Sequence, residues 1–232
     1  MYNRVLLKLS GETLSGSGKK GFSNSCITYL IDEIKAVVER DVCLGIVIGA
    51  GNLFRGRELE RIDPLLGDQI GMLGTNINAL YLKASLKDAG IKASVFSQLI
   101  NLPSSQKINY ENIETALSKG EVVIFGGGTS NPLFTTDTAA ALRALEMQAQ
   151  IIIKATKVDG IFSSDPKINP EAIKYDTLTF SQAIEKGLKI MDMEAFSICR
   201  RYAMTIQVLD FFKPGSLLKA VMGEKIGTKC TN

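Results

Sequence analysis

The sequence predicts an α/β fold built on parallel strands. Two observations carry this: six short apolar runs recur along the chain, and the segments between them have helical periodicity. The runs are RVLLKL at 4–9, CLGIVI at 43–48, ASVFS at 93–97, EVVIF at 121–125, IIIKA at 151–155 and TIQVL at 205–209. Runs this short and this continuously apolar read as strands buried on both faces. Between the first two, Ile27, Leu30, Ile31, Ile34, Val37 and Val38 form one helical stripe. Ile77, Leu80, Tyr81 and Ala84 repeat the pattern over 75–87, and residues 138–147 are rich in the helix formers Ala, Leu and Glu. The segment DGIFSSDPKINPEAIKYDT at 159–177 breaks the alternation with two prolines, which predicts an irregular loop or short hairpin after a strand. Long loops beside α/β strand ends often hold ligands.

Composition narrows the chemistry. In 232 residues, 27 Lys and Arg face 24 Asp and Glu, and a net charge of +3 is too small for a nucleic-acid footprint. With 45% hydrophobic and 22% charged residues, the chain can bury a core without staples. The chain has no histidine. That removes Ser/His and Cys/His nucleophiles, the two-histidine zinc helix and the commonest general base near pH 7. Catalysis must therefore run on Lys, Arg, Asp, Glu, Thr or backbone amides. Cys26, Cys43, Cys199 and Cys230 show no CxxC spacing, which fits a reducing cytoplasm. The apolar start is interrupted by Lys8, and CLGIVIGAG is far too short for a membrane span, so neither export nor insertion is expected. No linker or repeat divides the chain, and the expectation is a single domain, 1–232, with two lobes.

Two nucleotide signatures fail on spacing. In GSGKK at 16–20 a P-loop would need Gly in place of Thr13 and Ser or Thr in place of Lys20; in GAGNLF a dinucleotide fingerprint would need Gly in place of Phe54. What remains is three glycine-rich turns, KLSGE at 8–12, IGAGNLFRG at 48–56 and FGGGTSNP at 125–132, each following a predicted strand. Parallel strands place such turns on one rim, where glycine lets backbone N–H groups approach an anion; with Lys8 and Arg55 beside them they predict a phosphate site. After the third turn, Thr135 or Thr136 can cap a helix whose first turn holds Asp137, and the free N–H groups there form an anion pocket. In IMDMEAF, Asp192 stands at the expected start of another helix.

Across these motifs, and through GDQIGML and KPGSLLKAVMGEKIGT, the chain resembles the bacterial uridylate (UMP) kinases of the amino-acid kinase superfamily. The resemblance implies a three-layer α/β/α sandwich with a largely parallel central sheet, in which 1–145 forms the UMP-binding and oligomerisation lobe and 146–232 the ATP-binding lobe. It implies γ-phosphoryl transfer from ATP to UMP with Mg²⁺, a homohexamer, and GTP or UTP as effector, with Lys83 and Lys87 the cations in the effector region. It puts the ATP phosphates on Lys8, Leu9, Ser10 and Gly11 near Gly51 and Arg55, and the adenosine on Thr156, Phe162 and Asp165. It puts UMP on Ala50, Asp68, Thr129, Ser130, Asn131, Pro132, Leu133, Phe134, Thr135 and Thr136. Lys8, Arg55, Asp137 and Asp192 match the catalytic positions, with the division of labour between the two aspartates open and the metal ligands unassigned. The chain departs from the family pattern at Ala50 and Ser130, where glycine is usual, in FSNS after Gly21, and at Gln150, where aspartate is usual. Gln150 is expected near the site's scaffold, at the junction of the Asp137 helix and the strand leading to Thr156. It keeps open the alternative of a noncatalytic nucleotide-binding or storage protein; a superfamily kinase of a small carboxylate or carbamate would share the glycine turns and the donor site, but GTSNPLFTTD argues against it.

Overall fold

The structure, a computed structural model, describes residues 1–16, 20–54, 62–166 and 168–232. The elements follow as β1 (Arg4–Leu9), α1 (Glu12–Ser15), α2 (Asn24–Val38), β2 (Cys43–Ile48), α3 (Pro64–Asp88), β3 (Ala93–Phe96), β4 (Ser105–Gln106), α4 (Tyr110–Ser118) and β5 (Val122–Phe125). Next come α5 (Thr136–Glu146), β6 (Ile151–Thr156), β7 (Ile161–Phe162), β8 (Lys174–Tyr175), β9 (Thr177–Thr179), α6 (Phe180–Glu185), α7 (Met193–Arg201), β10 (Thr205–Asp210), α8 (Ser216–Val221) and β11 (Thr228–Thr231). All six expected strands form.

They build a nine-stranded sheet in the order β4-β3-β5-β2-β1-β6-β10-β11-β9, parallel throughout except where β11 runs against β10. Strand alternation divides its side chains between two layers. Val5, Leu7 and Leu9 pack with Leu30 and Ile34 of α2, Leu82 of α3 and Leu217 of α8. Leu6 and Ile152 pack with Ala140 and Ala144 of α5 and Phe196 of α7 on the other side. This is the α/β/α sandwich. Four alanines of α5, Ala139, Ala140, Ala141 and Ala144, are buried in this layer. Gly45 completes the fit, since a methyl there would lie 2.3 Å from the Met147 sulfur.

Two consequences position the site. β1 pairs with β2 on one side and β6 on the other, so the strand order reverses at β1, and the crevice above its carboxyl end is where open α/β sheets bind ligands. Register also sets Lys8 beside Lys154, on the α5 face with Leu6 and Ile152.

The structure differs from the sequence expectation in two places. Helix α3 begins at Pro64 rather than near Thr75, because Asp63 caps it by accepting from the amides of Leu65 at 2.9 Å and Leu66 at 3.2 Å. Gly67, Gly71 and Gly74 had obscured that half of the helix. The segment after β6 does form a short hairpin, with Ile161 opposite Tyr175. Gln150 lies at the amino end of β6, away from the crevice: its side-chain oxygen accepts from the amides of Asn3 at 2.6 Å and Arg4 at 3.2 Å, and its own amide donates to the Arg4 carbonyl at 2.9 Å. It ties β6 to the start of β1, a task that needs an acceptor and no charge. Residues 17–19 of the GSGKK segment lie outside the described residues. The four cysteines are unpaired, and burial pushes the thiols of Cys199 and Cys230 up to about 12.

Gln150→Asp, which keeps the acceptor, should change kcat by less than about tenfold, or about 1.4 kcal/mol of barrier. Gln150→Leu should lower unfolding stability by about 1–3 kcal/mol, the cost of leaving strand-end amides unpaired. Steady-state kinetics with denaturant melts check both, and a large kcat gain in Gln150→Asp would contradict this placement.

Candidate active site

The three glycine turns sit together on the rim and are fixed by unusually close backbone approaches. A methyl on Gly11 would lie 2.5 Å from the Asn52 side-chain oxygen and 2.6 Å from the Gly51 nitrogen, so no other residue fits between the first and second turns. The buried amides of Asn52 and Asn78 bond each other at 2.7 and 3.1 Å, and Asn78 also donates to the Gly49 carbonyl at 2.7 Å. Thr75 accepts from the Gly127 amide at 2.8 Å, while a methyl on Gly126 would meet the Asn76 oxygen at 2.4 Å. One polar turn of α3 thus holds the second and third glycine turns in register. Thr75, Asn76 and Asn78 were not among the sequence candidates; their signal was a polar TNIN segment inside an otherwise apolar helix. Ala50 is accommodated by α3 as well. It has no positive φ, and a methyl on Gly74 would come within 2.9 Å of its own.

Below the turns lies a buried charge cluster. Asp137, in the first turn of α5, receives the Lys8 ammonium at 2.5 Å on one oxygen and the Lys154 ammonium at 2.7 Å on the other. Lys154 also donates to the Ile190 carbonyl at 2.7 Å. Burial pushes the Asp137 carboxyl up, but the two ammonium groups outweigh it and hold it below its ordinary 3.8. Burial lowers Lys154 below its ordinary 10.5, opposed by Asp137 and reinforced by Lys8. The sequence reading missed Lys154. Its signal was a lysine inside an apolar strand, the same signal that marks Lys8.

Thr135 is the residue that caps α5, accepting from the Asp137 amide at 3.0 Å. Asp192 caps α7 through the Ala195 amide at 2.7 Å and accepts from the hydroxyls of Thr138, at 2.9 Å, and Thr135. It therefore joins the amino ends of α5 and α7. The carboxylate touching the lysines is Asp137, and Asp192 acts one layer behind it.

Each lysine of this cluster lines a cavity. A cavity of about 420 Å³ is lined by Lys8, Ser10, Gly11, Ala50, Gly51, Asp68 and the run from Leu133 to Thr136. Leu9 is fully buried and lines neither cavity. Thr129, Ser130, Asn131 and Pro132 approach this cavity without lining it: Thr129 bonds Asn131, and the buried Ser130 hydroxyl has no partner. A second cavity, of about 740 Å³, is lined by Lys154, Thr156, Phe162, Asp165 and the loop from Lys186 to Ile190. The three candidate adenosine residues thus share one wall. Arg55 lies outside the described residues.

A lysine of one cluster in the lining of each of two cavities suits transfer of a charged group between bound ligands, and comparison with known proteins places the chain among kinases. The profile of the amino acid kinase family matches residues 3–210, and the chain belongs to that family. It is 60% identical over 228 residues to a uridylate kinase of Thermosipho melanesiensis, covering 98% of each chain. It is 59% identical to a uridylate kinase of Fervidobacterium nodosum, covering 98% of this chain and 97% of that relative. Among solved structures, a UMP kinase from Bacillus anthracis superposes with a TM-score of 0.96 at 34% identity, over 99% of this chain and 96% of its own.

The depressed Asp137 carboxyl has a defined pH signature. Its stabilisation is fully present above the unfolded value near 3.8 and is lost as pH falls through the lower folded value. The stability advantage of the parent over Asp137→Asn should therefore stay level from pH 7 to about 5 and shrink only in stronger acid. Denaturant melts across pH check this; an advantage that disappears near pH 6 would contradict it.

Proposed function

We propose that this chain transfers the γ-phosphoryl group of ATP to UMP, giving ADP and UDP for pyrimidine nucleotide synthesis. The observation that carries the reading is the Lys8–Asp137–Lys154 cluster, which puts one lysine in the lining of each cavity. UMP takes the smaller cavity, against Ala50, Asp68 and the 129–136 run, with Asp68 toward the ribose. ATP takes the larger one, with adenosine against Thr156, Phe162 and Asp165 and its phosphates reaching over Lys8, Leu9, Ser10, Gly11 and Gly51, aided by Arg55. Residues up to about 145 then form the acceptor lobe and the rest the donor lobe. In keeping with this division, residues lining the first cavity run from Lys8 to Thr136 and those lining the second from Lys154 to Val208.

The chemistry explains the missing histidine. The attacking group is a phosphate oxygen with a second pKa near 6, already ionised at pH 7, so no general base is required. Phosphoryl transfer through a loose transition state asks mainly for alignment and charge neutralisation. Lys8 and Lys154 supply the charge on either side of the transferring group. Asp137 holds the two ammonium groups apart at fixed positions, and Asp192 holds the helix start that carries Asp137. Gln150, whose departure from the family pattern left a noncatalytic reading open, stands at the opposite end of the strands, where it ties β6 to the start of β1.

Among the described residues no group of three or more His, Cys, Asp or Glu could hold a metal, and both oxygens of Asp137 face lysines. Asp137 or Asp192 would be the residues to hold a Mg²⁺ ion arriving with the triphosphate, each adding at most one oxygen. When bound, Mg²⁺ would neutralise charge on the β- and γ-phosphates.

A homohexamer belongs to the same proposal. The apolar stripe of α2 is spent in the chain's own core through Ile27, Leu30, Ile34 and Val37, whereas α3 leaves Leu66, Leu73 and Ile77 about half exposed on one face. GTP or UTP would act as effector through Lys83 and Lys87 on the same helix. No helix among the described residues is long and apolar enough to cross a membrane, and we place the protein in the cytoplasm.

One preparation tests the proposal. With ATP and Mg²⁺ it should release ADP faster with UMP than with CMP, glutamate or carbamate, and light scattering should give the mass of six chains. Lys8→Ala should lower kcat by roughly 10²-fold or more while UMP binding changes little, the scale of losing one strong transition-state contact. No turnover of UMP by folded protein would overturn the assignment, and a loss confined to KM would misplace Lys8.

A further inference from the structure

The smaller cavity contains a contact whose geometry is costly. Asp68, in the second turn of α3, accepts a hydrogen bond from the backbone amide of Leu133 at 2.7 Å. Leu133 makes this bond with φ at +72°, in the left-handed region that a side chain bearing Cβ adopts at a cost. Packing does not repay the cost, because the Leu133 side chain is 72% exposed. Ser130, three residues earlier, also has a positive φ of 65°, and its hydroxyl has no partner. The loop is pinned at both ends, by the Thr129 hydroxyl bonding Asn131 and by Thr135 bonding Asp192 and capping α5. Between those pins, the bond that the Leu133 conformation secures is the one from its amide to a carboxylate, which is stronger than a neutral hydrogen bond. Strain kept at a ligand cavity without compensating burial points to a functional geometry.

We infer that Leu133 is a positioning residue whose left-handed backbone aims an amide at one oxygen of Asp68 and thereby fixes that carboxylate for the ribose of the acceptor nucleotide. The inference rests on the placement of Asp68 toward the ribose proposed above. A half-exposed aspartate on a helix has several rotamers, and only some direct an oxygen into the cavity. One oxygen held by the Leu133 amide leaves the other oriented to accept from a ribose hydroxyl. A site built to bond a hydroxyl rejects an analogue that lacks it, since its own polar group is then left unpaired. Leu133 therefore sets discrimination between a ribonucleotide and its 2′-deoxy counterpart. Its backbone conformation matters here, and its exposed side chain does not.

A substitution series separates backbone from side chain, using UMP and 2′-deoxy-UMP as the probes. Leu133→Gly and Leu133→Asn suit a positive φ, whereas Leu133→Val and Leu133→Ile place a β-branched residue where it is most strained. The expected result is that Gly and Asn retain the parent's ratio of kcat/KM for the two nucleotides. Val and Ile should reduce that ratio by about tenfold, the scale of about 1.4 kcal/mol, through KM for UMP more than through kcat. Circular dichroism and thermal melts verify that each variant is folded, and Asp68→Ala serves as the reference for lost discrimination. If Val and Ile keep the parent's ratio while Asp68→Ala loses it, Leu133 does not position Asp68 and the inference is overturned. It is equally overturned if Gly and Asn lose the ratio as Val does, since the side chain would then be responsible. If Asp68→Ala discriminates as the parent does, the placement of Asp68 at the ribose fails and takes this inference with it.

Discussion

A single largely buried carboxylate set between two ammonium groups is the interaction on which the site depends. Asp137 has one oxygen on Lys8 and the other on Lys154, and those lysines stand on neighbouring strands in direct register. Two like charges side by side at the end of a parallel sheet would repel strongly if buried alone. The carboxylate neutralises one of them and leaves a net positive charge facing the two cavities. Removing it would leave lysines buried without a counterion, a far larger penalty than the loss of one hydrogen bond.

Much of the remaining architecture serves to hold that carboxylate still. Asp137 sits in the first turn of α5, capped by Thr135, and Asp192 draws both Thr135 and Thr138 toward the start of α7. The four alanines of α5 and the bare backbone of Gly45 let the helix lie close on the sheet, which sets the height of Asp137 over the lysines. Beside the smaller cavity, the polar segment of α3 fixes the glycine turns through Thr75, Asn76 and Asn78. Electrostatic preorganisation of this kind is effective because the donors need not move as charge develops.

The sequence exposed the fold through its strands, because parallel strands buried on both faces leave continuous apolar runs that few other structures produce. It exposed the rim through glycine, which becomes obligatory where the chain lies as close to a neighbouring turn as Gly11 lies to the second turn. What it hid was pairing across the sheet. Lys154 is invisible as a partner of Lys8 until register brings 8 and 154 side by side, and Gln150 reads as a neighbour of the site until the strand direction carries it to the far end. The first half of α3 was hidden for a different reason: three glycines and an exposed apolar stripe give no one-sided burial pattern, and only the Asp63 cap makes its start intelligible. Short elements such as α4, with three buried residues, are set by tertiary packing rather than by periodicity.

In the proposed reaction Lys154, and not Lys8 alone, neutralises the transferring phosphoryl group. Single-turnover phosphoryl transfer from ATP to UMP, measured for Lys154→Met, Lys8→Met and the double variant, tests it most directly. Each single substitution should slow the transfer by roughly 10²-fold or more. The double variant should lose less than the product of the two, because both lysines act through the same carboxylate. Transfer by Lys154→Met within about threefold of the parent, less than about 1 kcal/mol of barrier, would contradict the claim.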